Sequence, residues 1–175
     1  MKSSGWRTSL SRSDLDDALR SWLSEPGSLT RRLQAQCADF RVRLLTQGRQ
    51  RQSTLSAAGS RRAQVPVRDV LLLCAGEPVI FAHTELSTVT RGRLTHWLRG
   101  LGDRSLGTLL FSYPGFVRGR IEYCRLDARQ PLFRRAAGFA EVPATLWARR
   151  STHWLGGQAV QVTEVFLPPI TRLSA

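Results

Sequence analysis

The sequence predicts an α+β chain built on a mostly antiparallel sheet. Three observations carry this. Apolar and charged residues alternate at period two in several stretches. Gly/Pro turn signals join such stretches into hairpins. Other stretches show the 3.6 period of amphipathic helices, early and in the middle of the chain.

Ser13 to Leu23 reads as a helix, with Ser13 as N-cap and Asp16 three residues on. Leu15, Ala18, Leu19, Trp22 and Leu23 form its apolar face. Pro26-Gly27 ends it, and Ser28 caps a second helix over Leu29 to Cys37. Phe40, Val42 and Leu44 then alternate with Arg41 and Arg43, which is a strand. Gln47 to Arg62 is polar and reads equally as more strand or as loop. Val67 to Cys74 and Val79 to Thr84 flank Ala75-Gly76-Glu77-Pro78, a hairpin apolar enough to be buried on both faces. Arg91 to Leu101 is an amphipathic helix ending in glycine. Leu106 to Phe111 fits either state. Val117 to Tyr123 alternates as a strand, and Asp127 to Val142 reads as a surface connection. Leu146 to Leu155 and Ala159 to Leu167 are strands about Gly156-Gly157.

A chain of 175 residues with 42% hydrophobic content supports one domain, residues 1–175, with 1–12 as a flexible extension. The longest apolar run, Val70 to Ala75, is too short for a membrane helix. The N-terminus lacks the apolar stretch of a secretory signal. The formal charge is +13; Lys2 is the only lysine, and asparagine is absent. Arginine richness of this kind follows codon bias in a GC-rich genome. Charge alone fits a solvated surface, nucleic acid or a small anion. The arginine doublets are scattered and not interleaved with the tryptophans, so a nucleic-acid platform is not expected. Cys37, Cys74 and Cys124 form no metal or redox motif, and their odd number suggests reduced thiols in a cytoplasmic protein.

Phosphate-loop, zinc-protease and serine-hydrolase motifs are absent. His83, His96 and His153 share no ligand spacing. Glu164 is more informative. It shares a strand face with Val160, Val162 and Phe166, where an ionised carboxylate needs a partner or an edge. Arg68 sits with Val70, Leu72 and Cys74, where a guanidinium needs an anion. The two residues either neutralise one another, or Arg68 pairs with Asp69, or both face a cavity. An Arg and a Glu facing one cavity suit a small anion that carries a hydroxyl.

Several segments, in order, carry a resemblance. They are Ser28-Leu29-Thr30-Arg31-Arg32-Leu33, Val67-Arg68-Asp69-Val70-Leu71-Leu72, Gly76-Glu77-Pro78, Leu106-Gly107 with Leu110-Phe111, Leu146-Trp147-Ala148-Arg149-Arg150-Ser151 and Thr163-Glu164-Val165-Phe166-Leu167-Pro168. From about Leu15 to Pro168 the chain resembles the chorismate pyruvate-lyases of ubiquinone biosynthesis. The resemblance implies a six-stranded antiparallel sheet with helical flaps over an enclosed cavity. It implies conversion of chorismate to 4-hydroxybenzoate and pyruvate by a monomer without metal or organic cofactor. Arg68 matches the residue that holds the ring carboxylate, and Glu164 the one that meets the 4-hydroxyl. Leu29 and Leu106 match positions that contact ligand. His83 stands where the family carries an arginine lining the cavity, which leaves the holder of the enolpyruvyl carboxylate unassigned. The other reading is a non-catalytic effector-binding domain of the same fold. Such domains follow a winged helix, for which the dozen residues before the first helix are too few.

Overall fold

The apolar hairpin of the sequence needs cover on both faces. In the computed structural model, which describes residues 5–11, 15–51, 64–86 and 92–173, that hairpin lies inside the sheet. Its strands β2 (Gln64–Cys74) and β3 (Glu77–Leu86) are buried almost throughout and turn at Ala75-Gly76, both with positive φ, 49° and 82°. β1 (Phe40–Arg51) pairs outside β2, so the undecided stretch from Gln47 is strand as far as Arg51. Residues 52–63 lie outside the described residues.

On the other side β3 pairs with β7 (Gln158–Phe166), and β7 with β6 (Thr145–Leu155) through the Gly156-Gly157 turn. The one strand expected over Val117 to Tyr123 divides into β4 (Val117–Arg118) and β5 (Glu122–Asp127), both paired to β6. All named pairings are antiparallel, in the order β1-β2-β3-β7-β6-β4. The sheet therefore has seven strands among the described residues, where six were expected.

The β2–β3 register steps once. Leu72 faces Ile80, but Leu73 faces Pro78, so Val79 is an extra residue, a β-bulge. Its carbonyl accepts from the Leu167 N–H at 3.0 Å.

The helices cover both faces. α1 (Asp17–Leu23) is capped by Asp16, whose Oδ1 accepts from the Leu19 N–H at 2.7 Å. The cap expected at Ser13 lies outside the described residues. α2 (Leu29–Gln36) starts at Ser28 as expected. These two place Trp22, Leu23, Leu29 and Leu33 on Val70, Leu72, Ile80 and Phe166. α3 (Arg93–Gly100) and α4 (Leu106–Ser112) cover the same face further along, with Leu94, Leu98, Leu106 and Leu110 against Leu86 and Val160. On the opposite face α5 (Pro131–Ala137) packs Phe133 and Ala136 near Leu71, Phe81 and Val165. It lies inside the expected surface connection. Its buried residues are three apart, too few to show a helical period.

Two further expectations are corrected. Residues 5–11 are not a free extension. Arg7 exchanges main-chain hydrogen bonds with Tyr123 (2.9 and 2.7 Å), and the Arg150 guanidinium lies 4.4 Å over the Trp6 ring. The open edge of β5 and an apolar side chain explain the docking. Residues 1–4 and 12 lie outside the described residues. Nor are all three thiols free. Cys37, ending α2, and Cys74, ending β2, form a disulfide across a Cα separation of 5.8 Å, leaving Cys124 free and buried.

Candidate active site

Sheet register builds the site. One row of partners runs Arg68, Thr84, Val162, Ser151 from β2 across β3 and β7 to β6. The next runs Val70, Ala82, Glu164, Arg149. Partners share a face, so these side chains all point toward the helices. Ala82 and Thr84 are small and leave space above the central strand. Arg118, the partner of His153, adds the far wall from β4. α2 and α4 close the top with Leu29, Thr30, Leu106, Leu110 and Phe111.

The two helices meet directly. Thr30 Oγ1 and Ser105 Oγ are 2.7 Å apart. Ser28 and Ser105 are matching N-caps, with oxygens that accept from the N–H groups of Arg31 and Thr108. Leu29 and Leu106 are thus both first helical residues, whose main-chain N–H groups lack intrahelical acceptors.

Arg68 is 1% exposed. Its Nη2 donates to the carbonyls of Gly102 (2.8 Å) and Arg104 (2.9 Å), and its Nε has no hydrogen-bond partner. Burial lowers its pKa to about 10, opposed by Asp103, so it is charged at neutral pH. Arg68 pairs with neither carboxylate considered for it. Glu164 Oε2 instead accepts from Arg149 Nε at 2.7 Å. Arg149 is anchored in turn by donating from Nη1 to the Glu25 carbonyl at 2.6 Å. Asp69 turns to the other face.

His83 goes with Asp69. It lies between the cavity-lining Ala82 and Thr84, so strand alternation sends it to the opposite face. There its Nδ1 is 2.7 Å from Asp69 Oδ1, and Arg135 of α5 donates to Asp69 Oδ2. Burial lowers the His83 pKa, against the pull of Glu85. The expected cavity position of His83 is therefore corrected: this residue ties α5 to the sheet and does not line the cavity.

The structure thus brings together Leu29, Arg68, Leu106 and Glu164, and adds Arg118, Arg149, Ser151 and His153, which the sequence reading did not assign to the site. Arg118 Nε donates to Ser151 Oγ at 3.2 Å, and Ser151 Oγ is 3.2 Å from His153 Nε2. His153 is depressed to about 4, first by burial and then by Arg118 and Arg149, so it is neutral at pH 7. Three guanidiniums face one carboxylate. The cavity lining therefore carries more positive than negative charge. No described set of His, Cys, Asp and Glu has the grouping of a metal site.

Fold and site together define a class: an α+β domain with an arginine-lined cavity under helical flaps. The chain belongs to the chorismate lyase family, whose model matches residues 1–173. It is 56% identical over 175 residues to a probable chorismate pyruvate-lyase of Dechloromonas aromatica (strain RCB), covering 99% of both chains. It is 41% identical over 170 residues to a protein of the same description from Nitrosospira multiformis, covering 93% of both. Among solved structures, the effector domain of PhnF from Mycobacterium smegmatis is similar, with a TM-score of 0.55 and 17% identity over 81% of this chain and 89% of that one. A GntR-family regulator from Bacillus cereus matches with a TM-score of 0.53 and 12% identity, over 74% of this chain and 92% of that one. These two likenesses show a shared fold.

Proposed function

We propose that the chain is a chorismate pyruvate-lyase, converting chorismate to 4-hydroxybenzoate and pyruvate. The observation that carries this is the charge of the cavity: three arginines against Glu164, for a substrate with two carboxylates and one hydroxyl. Arg68 anchors the ring carboxylate. Its free Nε and its fixed Nη2 make it a preset cation rather than a flexible one. Glu164, held by Arg149, accepts the hydrogen bond of the C4 hydroxyl and sets the ring's rotation. Leu29 and Leu106 contact the ligand at the flap side, where their main-chain N–H groups are available.

The reaction breaks the C3–O ether bond and removes the hydrogen on C4. That hydrogen can pass to the enolpyruvyl methylene through a six-membered arrangement. The methylene becomes the pyruvate methyl, the ether oxygen its ketone, and the ring becomes aromatic. Atoms balance without a protein base. Aromatisation supplies the driving force, so the protein acts by fixing the reactive conformer and stabilising charge on the departing group. The reading includes a cytoplasmic monomer supplying ubiquinone biosynthesis, which fractionation and light scattering would check. No described helix is long and apolar enough to cross a membrane.

The deciding experiment mixes purified protein with chorismate and separates the products. Equimolar 4-hydroxybenzoate and pyruvate are expected. Thermal stabilisation by 4-hydroxybenzoate without turnover would replace the lyase with an effector-binding domain.

A further inference from the structure

The three cavity arginines are not equivalent. Arg68 donates to two loop carbonyls, and Arg149 to Glu164 and the α1–α2 connection. Arg118 reaches in from the two-residue strand β4. Its Nε donates to Ser151 Oγ, and its Nη1 to the Pro26 carbonyl at 2.5 Å. Its guanidinium carbon lies 5.2 Å from the Phe111 ring centre on flap helix α4. No carboxylate forms an ion pair with it among the described residues. Burial and then the neighbouring Arg149 lower its pKa, against the opposing pull of Glu164, Tyr123 and Glu25.

We propose that Arg118 binds the second carboxylate of the substrate, the one on the departing enolpyruvyl group. This rests on the lyase reading. Arg68 and Ser151 end the same cross-strand row, three strand steps apart. At about 4.8 Å per step their backbones are about 14 Å apart, and the long arginine side chains shorten the gap. Glu164 stands in the adjoining row, two strands from Arg68 but one from Ser151, to which Arg118 donates. The ether arm leaves the ring at C3, beside the hydroxyl-bearing C4. A ring with its carboxylate on Arg68 and its hydroxyl on Glu164 therefore carries its arm at the Arg118 end. There the guanidinium fixes the arm for transfer and offsets the negative charge developing on the ether oxygen. After the C–O bond breaks, that carboxylate belongs to pyruvate. Arg118 thus favours substrate over the aromatic product, whose carboxylate and hydroxyl rest on Arg68 and Glu164.

The test compares wild type, Arg118→Gln and Arg118→Lys in chorismate turnover and in 4-hydroxybenzoate binding. The expected result for Arg118→Gln is a loss of about a hundredfold in kcat/KM with less than a threefold change in 4-hydroxybenzoate Kd. Arg118→Lys regains at least about tenfold of that loss. Equal losses in turnover and product binding would reduce Arg118 to a structural latch on Pro26, and no loss would remove it from the site. A wild-type probe avoids dependence on variant folding: 3-carboxymethoxy-4-hydroxybenzoate, which carries a second carboxylate on an ether arm at C3. It is expected to bind at least about tenfold tighter than 4-hydroxybenzoate at low salt. Equal or weaker binding, in a wild type that turns chorismate over, overturns the assignment alone. A wild type without turnover overturns the lyase reading and this assignment with it.

Discussion

Arg149 and Glu164 face one another in the β6–β7 ladder and join by an Nε–Oε2 hydrogen bond of 2.7 Å. The pair keeps Glu164 an acceptor aimed at the cavity. Glu164→Gln preserves shape and removes charge. The expected result is about tenfold weaker 4-hydroxybenzoate binding, the worth of one hydrogen bond to a charged group, with turnover falling by less than about a hundredfold. Steady-state kinetics with product calorimetry checks this. A larger loss of turnover would make Glu164 a proton-transfer group.

Arg68 holds ligand and scaffold together. Arg68→Ala should raise the chorismate KM and the product Kd by about a hundredfold, since a charge-assisted contact to a buried cation is lost. The same change frees the carbonyls of Gly102 and Arg104, so the α3–α4 connection should gain amide exchange. Unchanged product affinity would remove Arg68 as the anchor.

His153 predicts an acid sensitivity. Its pKa falls from 6.5 to about 4 on folding. Between those values the unfolded chain holds more protons than the folded one. Stability therefore declines as pH falls through that window and is unaffected above it. Full protonation of this site costs on the order of 3 kcal/mol. His83, also lowered by burial, tilts the balance the same way. Melting curves from pH 7.5 to 4.5 should show a shallower acid slope for His153→Gln than for wild type. Parallel slopes would refute the assignment.

Gly107 sets how closely the flaps meet. A Cβ there would lie 3.0 Å from Thr30 Oγ1 and 3.2 Å from Ser28 Oγ. Gly107→Val should wedge α4 from α2 at a cost of about 1–3 kcal/mol. Release of 4-hydroxybenzoate should then speed up by about tenfold in stopped-flow displacement, the result expected of an exit that waits on flap opening. An unchanged release rate would separate flap contact from product exit.

The Cys37–Cys74 pairing predicts one titratable thiol, Cys124, in unfolded protein kept free of reductant. Three would refute the pairing. Reduction should lower stability by about 3–4 kcal/mol, from the loop of 37 residues it closes.

Much of this was legible in residue order. Period two on the last strand placed Glu164 with Val162, and Arg68 with Val70, on what became the cavity face. The Gly156-Gly157 turn even implied the partner of Glu164. A two-residue hairpin pairs Leu155 with Gln158, and counting back reaches Arg149. Arg118 was not legible, because β4 is two residues long and its register depends on β6 rather than on a nearby turn. The disulfide joins residues brought together by β1–β2 pairing, which spacing along the chain does not reveal. His83 failed for a subtler reason. The resemblance to a cavity arginine carried over position along the chain, whereas strand alternation and the bulge decide which face a side chain takes.

That bulge has a wider consequence. Val79 is the one extra residue between the β2–β3 turn and the cavity-facing Ala82 and Thr84. Pairing β3 to β2 without the bulge, with the turn fixed and Val79 retained, would set Val79 opposite Leu72 and reverse the faces of the rest of β3. Phe81 and His83 would then stand opposite Val70 and Arg68 in place of the two small residues. Two bulky rings would fill the cavity floor. The bulge therefore absorbs one surplus residue and keeps the floor clear, and deletion of Val79, which leaves Leu72 opposite Ile80, should be tolerated far better than an insertion further along β3.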